Sequence, residues 1–284
     1  MDLNLHSISS QDGISSTLSA KKHGFKYSVT DNDYIFKNNK INAVVIATRH
    51  DSHAGLVIKA LKAKKNIFVE KPLCMNLKEL DSIRAAHTNS SILMVGFNRR
   101  FAPQIRKMKF LLSEINEPKA FVMTINAGEV ANDHWTQDPD IGGGRVLGEA
   151  CHFIDLLRFL AGSSIKDYKI DYLKSSSKDT ATIQLNFEDG SIGTIHYYSN
   201  GSNKLSKERL EVFAGGGVLQ LDNFRKLNAY GWPGFKKMNL WQQDKGQKNC
   251  VRSFIDAIIS REVSPIPKNE IYEVSRIAID LANQ

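Results

Sequence analysis

Short apolar runs alternate with helical patterns through the first part of the chain. LNLHSI, INAVVIA, NIFVE and SILMVGF read as strands, while Ser15 to Lys22, His53 to Ala63 and Leu77 to Ala86 read as helices. Ala43 to Ala47 is apolar without alternation, as a strand buried on both faces of a parallel sheet must be. This βα rhythm predicts a Rossmann-like α/β domain.

From Pro118 the rhythm changes. A loop rich in Asp, Pro and Gly precedes one amphipathic helix, and KDYKIDYL, TATIQLNF, SIGTIHYYS, RLEVFAG and GVLQLD then follow as strands separated by turns. Strands in succession without helices between them imply antiparallel pairing. Ile183, Leu185 and Phe187 alternate with polar neighbours, and Glu188-Asp189-Gly190 signals a hairpin, so one face of this sheet is expected to be wet. Two helices, about Gln247 to Ser260 and Asn269 to Ala282, flank SPIPKN and close the chain. The fold class expected is α/β plus α+β. Residues 1–117 form an incomplete Rossmann-like domain, residues 118–284 form an α+β domain, and the closing helices pack back on the first.

Composition narrows the function classes. The 284 residues are 42% hydrophobic and 24% charged, and no apolar run approaches the roughly 20 residues that cross a bilayer, so no membrane span is expected. The start MDLNLHSISSQDG lacks the basic and apolar regions of a secretory signal, which makes a cytoplasmic location the expectation. The net charge of +8 is spread over the whole length among acidic residues, so nucleic acid is not expected as a partner, although an anionic small substrate is compatible with it. Cys74, Cys151 and Cys250 stand apart, with no spacing suited to a metal.

Two constellations carry chemistry. In AVVIATRHDSHAGLVIKALKAKKNIFVEKPL one strand ends at Ala47-Thr48 and the next at Glu70-Lys71-Pro72. Ligands of open α/β sheets sit beyond the carboxyl ends of strands, so Thr48, His50, His53, Glu70 and Lys71 should converge on one crevice. A lysine held between a buried strand and a proline is placed to hydrogen-bond a reacting hydroxyl, whereas most lysines are simply solvated. His53 fits equally well as a histidine packed between helix and sheet. In GGGRVLGEACHFIDLLRFLAG three glycines open a helix on which His152 and Asp155 share a face, and either a site histidine or a packed one suits that position. His134 and Trp135 in the preceding loop suit a substrate wall or plain packing, and Arg99 and Arg100 suit phosphate or carboxylate groups or the surface.

The passage ending in EKP, followed by a strand running into GFNRRF, resembles the dinucleotide-binding half of the Gfo/Idh/MocA oxidoreductases. That resemblance implies NAD or NADP as cofactor, with Ala47, Thr48, His50, His53, Glu70, Lys71, Pro72, Asn98 and Arg99 lining the nicotinamide side. It implies His152 as proton acceptor and Lys71 as its catalytic partner, with Arg100, His134, Trp135, Glu149, His152 and Asp155 about a sugar, polyol or nucleotide sugar. Arg49 stands where the family often has Pro, His50 where it often has Asn, and Gly148 where it has Asp, with Glu149 next in line. NAGEVANDHWTQDPDIGGGRVLGEACHFIDLLRFLAG and KERLEVFAGGGVLQLDNFRKL are similar to the second half of enzymes that join a zinc-alcohol-dehydrogenase-like part to a Gfo/Idh/MocA part. This implies a role in surface polysaccharide synthesis and a homo-oligomer formed through the sheet.

A dinucleotide domain should open with a strand, GxGxxG and a helix whose amides hold the pyrophosphate. The sequence contains no such motif, and its first strand resembles the second strand of that fold. The expectation is therefore an N-terminally truncated enzyme, the alternative being a cofactor-incompetent, sugar-binding or scaffold derivative.

Overall fold

The computed structural model describes residues 3–88, 90–131, 133–174 and 178–284. Its first elements are short. Strand β1 (Ser7–Ser9) leads to helix α1 (Gly13–His23), which starts where the Asp12 side chain accepts from the Ile14 amide at 3.0 Å and stops at Gly24, with φ of +78°. Strand β2 (Tyr27–Val29) pairs in parallel with β1, and helix α2 (Asn32–Lys37) follows. A second parallel sheet is built from β3 (Ala43–Ile46), β4 (Asn66–Val69) and β5 (Leu93–Val95), connected by α3 (His53–Lys62) and α4 (Leu77–Ala86). The two parallel sheets are separate, and β3 is an edge strand whose Val45 is 68% exposed.

Helix α5 (Pro103–Leu112) begins on a proline and leads to β6 (Ala120–Asn126). After a long loop come α6 (Cys151–Ala161), β7 (Ile165–Tyr172), β8 (Ala181–Phe187), β9 (Ile192–Tyr198), β10 (Glu208–Ala214), β11 (Gly217–Asp222), β12 (Lys226–Tyr230) and β13 (Lys237–Asn239). These strands form one sheet in the order β13-β12-β11-β10-β6-β9-β8-β7. Every neighbouring pair is antiparallel except β6 and β9, which run parallel. The alternation in β8 buries Ile183, Leu185 and Phe187 and leaves Gln184 and Asn186 exposed, so one face of the sheet is solvated.

Helices α7 (Gln247–Ser260) and α8 (Lys268–Ala282) return to the parallel sheet. Tyr272 Oη lies 2.6 Å from His87 Nδ1, and Ser264 Oγ donates to the Leu93 carbonyl at 2.9 Å. Helix α6 is buried on nearly every side, between the large sheet and α8. None of the helices among the described residues is long and apolar enough to cross a membrane.

Several elements depart from the pattern reading. Only Ser7 and Ile8 of LNLHSI are strand, and β2, α2, α5, β6, β12 and β13 are not marked by the periodicity. Strands β2 and β13 have three residues each, too few to show a period. Strand β6 alternates in burial, yet Phe121, Val122, Met123 and Ile125 make it look uniformly apolar. The parallel pairing of β6 with β9 could not be read from strand succession, because these two strands are far apart in the chain.

Candidate active site

Strand β3 hands over to Ala47, Thr48 and Arg49, all exposed, and a 3-10 turn at His50–Ser52 leads into α3. Strand β4 hands over to Glu70, Lys71 and Pro72. His53 joins these two exits. Its Nδ1 lies 2.7 Å from the Pro72 carbonyl and its Nε2 3.1 Å from the Thr48 carbonyl, with the residue fully buried. Both ring nitrogens face backbone carbonyls, and whichever carries the proton donates to its neighbour, so His53 sits between the two loops and holds them in register. Beside it, the Glu70 carboxylate fills the space that a side chain at Gly96 would need, since a Cβ there would sit 2.9 Å from Oε2.

Lys71 reaches across to the second sheet's helix and donates from Nζ to the Gly148 carbonyl at 2.6 Å. Gly148 lies in a single π turn, Val146–Ala150, inserted between the glycines and α6. Helical backbone thus begins at Gly144, the last of the three glycines, runs through the π turn and continues as α6 from Cys151. Gly142 admits no Cβ, which would lie 2.5 Å from the Trp135 carbonyl, while Gly143 and Gly144 take φ of +71° and +76°. A π turn of this kind widens the helix locally and turns a backbone carbonyl outward, and such turns often occur at functional sites.

His50 fills the space beside Gly148, where a Cβ would come 3.0 Å from its Cε1. Its Nδ1 lies 2.8 Å from the Gly142 carbonyl, which can only accept, so Nδ1 carries the proton. Burial pushes the His50 pKa down to about 4, so the ring is neutral at pH 7 and Nε2 is an acceptor. Trp135 packs edge-on against this ring at 4.8 Å, under the Arg49 guanidinium at 5.9 Å. His134, exposed, faces Thr136 Oγ1 at 2.8 Å.

His152 is 5% exposed and its Nδ1 has no hydrogen-bond partner. Burial, and then the charges of Arg99, Lys71, Lys245 and Lys207, hold its pKa well below 6.5, so the imidazole is neutral. Glu149 does not point at it as a free carboxylate. It accepts from Lys207 Nζ at 2.7 Å, from Arg145 Nη2 at 3.0 Å and from Tyr197 Oη. Burial raises the Glu149 pKa, but Lys207 and the other two donors outweigh it and bring it to about 2.

Four residues expected at the ligand, Arg99, Arg100, Asp155 and Asn98, have partners within the protein. Arg99 pairs through Nε and Nη2 with the buried Glu208 at 2.8 and 3.0 Å, and Lys245 Nζ joins the same carboxylate at 2.6 Å. Arg100 grips Asp155 with both Nε and Nη2 and reaches Glu270 at 2.8 Å, so Asp155, fully buried, serves Arg100 and does not orient His152. Each guanidinium is anchored by a bidentate, charge-assisted pair inside the protein. Asn98 likewise spends its amide on the Lys245 carbonyl at 2.7 Å.

Tyr197, Lys207, Glu208, Lys245 and Arg145 were missed in the sequence. Arg145 and Glu149 are four residues apart, a legible pairing signal, whereas the other four arrive from β9, β10 and the chain before α7 through tertiary structure alone.

Comparisons with known proteins place the chain in a family and a fold. A family model described as an oxidoreductase family with an NAD-binding Rossmann fold matches residues 2–97, and one described as the GFO/IDH/MocA C-terminal domain matches residues 106–220. Myo-inositol 2-dehydrogenase of Thermotoga maritima is 29% identical over 74% of this chain, and the chain covers 65% of that protein, just under two thirds of its length. An uncharacterized oxidoreductase of Bacillus subtilis, YrbE, is 27% identical over 91% of this chain and 80% of its own. Among solved structures, an oxidoreductase domain protein from Kribbella flavida superposes with a TM-score of 0.89 at 21% identity, over 98% of this chain and 88% of that one. Levoglucosan dehydrogenase in complex with NADH and levoglucosan gives a TM-score of 0.85 at 21% identity, over 98% and 87%. At such identities the structural likeness speaks for the fold.

Proposed function

Because the chain belongs to the Gfo/Idh/MocA oxidoreductase family, we propose that its crevice transfers hydride reversibly between NAD or NADP and a hydroxyl-bearing carbon of a sugar, polyol or nucleotide sugar. The division of labour follows the chain, with residues 1–117 for the cofactor and 118–284 for the substrate. One observation carries the reading: a lysine at the exit of a parallel strand donates into a π turn, and a neutral histidine with an unpaired nitrogen stands two residues beyond that turn.

A bound nicotinamide supplies the hydride acceptor. The exposed Ala47, Thr48 and Arg49 would line its side of the crevice, and Lys71, bonded to the Gly148 carbonyl, would face it from the substrate side. His152, held neutral by burial, takes the hydroxyl proton, while Lys71 Nζ orients the same oxygen and stabilises its developing negative charge. Tying the two loops through His53 keeps that lysine in place. The names of two relatives, a myo-inositol dehydrogenase and, at 30% identity over half of this chain, a levoglucosan dehydrogenase, support a polyhydroxylated substrate.

The dinucleotide fit is partial, since no GxGxxG occurs in the sequence and the β1–β2 ribbon does not join the β3–β4–β5 sheet. That split favours a second reading, a sugar-binding protein without cofactor chemistry. Titrating NADH and NADPH into the protein by nucleotide fluorescence, with Lys71→Ala as control, separates the two. Saturable binding weakened by the substitution supports hydride transfer; no binding to either nucleotide sinks it. A homo-oligomer contact would use the open face of the large sheet, where Ile192, Tyr198 and Phe213 are exposed. A place in surface polysaccharide synthesis rests on the sequence resemblance.

A further inference from the structure

Positive charge is in excess around the start of α6. Glu149 is shared by two cations, Arg145 and Lys207, and Glu208 by two more, Arg99 and Lys245. Lys71 adds a fifth, held only by a carbonyl dipole. Even with the nearby Glu70 carboxylate counted, the five cations exceed the three carboxylates by two. On the other side of the helix, Arg100, Arg158, Lys109 and Lys119 face Asp155, Glu270 and Glu273, four cations against three carboxylates. The larger surplus is therefore on the His152 side.

Such a surplus is costly in a half-buried place, because charges removed from water need partners. His152 adds nothing to it, being neutral, and its buried Nδ1 is still unpartnered. Beside Lys207 opens a polar cavity of about 390 Å³ lined also by Asn126, Asn203, Lys204, Ser206 and Asn223. Lys207 is the accessible member, with its side chain 38% exposed against 8% or less for Arg99 and Arg145.

We propose that the substrate carries an anionic group, a carboxylate or a phosphate, seated on Lys207 beside the first turn of α6, so that a uronate or phosphorylated sugar is preferred to a neutral polyol. This rests on the reading of the crevice as a sugar site and names the substrate class within it. An anion seated there offsets the cations that depress the basicity of His152, so it tunes the base as well as anchoring the ring.

The test is calorimetric titration of the whole chain with D-glucuronate, D-glucose 6-phosphate and D-glucose, for the native protein and for Lys207→Gln, with thermal unfolding to verify that the variant is folded. The expected result is at least tenfold tighter binding of one or both anionic sugars than of glucose, weakening with added salt, and a ratio that falls toward one in the variant. Whichever anionic arm binds tighter identifies the group as carboxylate or phosphate. Glucose binding as tightly as both, none of the three binding, or an unchanged ratio in a folded Lys207→Gln protein overturns the proposal. Absorbance of reduced nucleotide, followed separately, reports on hydride transfer, so a binding preference without turnover would count against the enzymatic reading and leave this one standing.

Discussion

Lys71 Nζ donates to the carbonyl oxygen of Gly148 at 2.6 Å, and this bond joins the exit of a parallel strand to the π turn that precedes the helix of the other sheet. Its partner is a dipole with no charge, so the ammonium keeps its charge for a third group. Because residue 148 has no side chain, the imidazole of His50 fills the adjoining space.

Removing either member of the proposed pair should cost turnover. Lys71→Met and His152→Asn are each expected to lower kcat with the best sugar substrate by about 10²- to 10⁴-fold, the usual contribution of a positioned acid or base. Steady-state assays of nucleotide reduction, with unfolding curves in parallel, check this. Native turnover in a folded His152→Asn protein would remove that residue from the chemistry.

Acid should loosen the crevice before it unfolds the rest. His50 titrates at about 4 in the fold against 6.5 for a free imidazole, so above pH 6.5 the folded and unfolded chains bind the same number of protons there. As pH falls from 6.5 to 4 the unfolded state takes up a proton that the folded state refuses, and stability drops by about 3 kcal/mol from this residue. Urea midpoints measured across that window should fall less steeply for His50→Asn than for the native protein; parallel curves would contradict the assignment.

Glu149 governs a lower window. With its pKa held at about 2 against 4.5, its ion pairs contribute fully above pH 4.5 and are lost as pH falls toward 2. Glu149→Gln should therefore destabilise the protein by about 2 to 3 kcal/mol at pH 7, allowing for its partial exposure, and by little near pH 2. Denaturant titrations at both pH values decide it.

Arg100→Met strands the carboxylate of Asp155 in a dry interior, where burial already lifts its pKa to about 6 against the pull of Arg100. Breaking one side of such a pair costs about 3 to 5 kcal/mol. Calorimetric unfolding should show it as a large fall in Tm, whereas a change within experimental scatter would mean that Arg158 takes over the pairing.

Gly246 is the backbone contact between α7 and the turn bearing Arg99 and Arg100. Its φ is +82°, and a Cβ would lie 2.5 and 2.6 Å from the Ala102 nitrogen and the Phe101 carbonyl carbon, both unable to swing aside. Gly246→Ala should cost about 2 kcal/mol or more, beyond the ordinary penalty for a left-handed position. A stability equal to native would show that the turn can shift.

The sequence by itself determined the parallel βα units, the strand-rich remainder, the two closing helices and the placing of Lys71 at a strand exit. Those features depend on local periodicity, and apolar spacing over a handful of residues reports which faces are buried. It also marked His152 and Glu149 on one short segment. Tertiary structure alone decided what they touch: Lys207 from the start of β10, Tyr197 from β9 and Lys245 from before α7 surround that segment, and Arg100 takes Asp155 away from the histidine. The π turn was hidden as well, because VLGEA continues the helical pattern and nothing in it marks a widened turn. Pairings between residues tens of positions apart follow from how sheets and helices dock, and a one-dimensional pattern carries no record of docking; the charge around His152 is such a property.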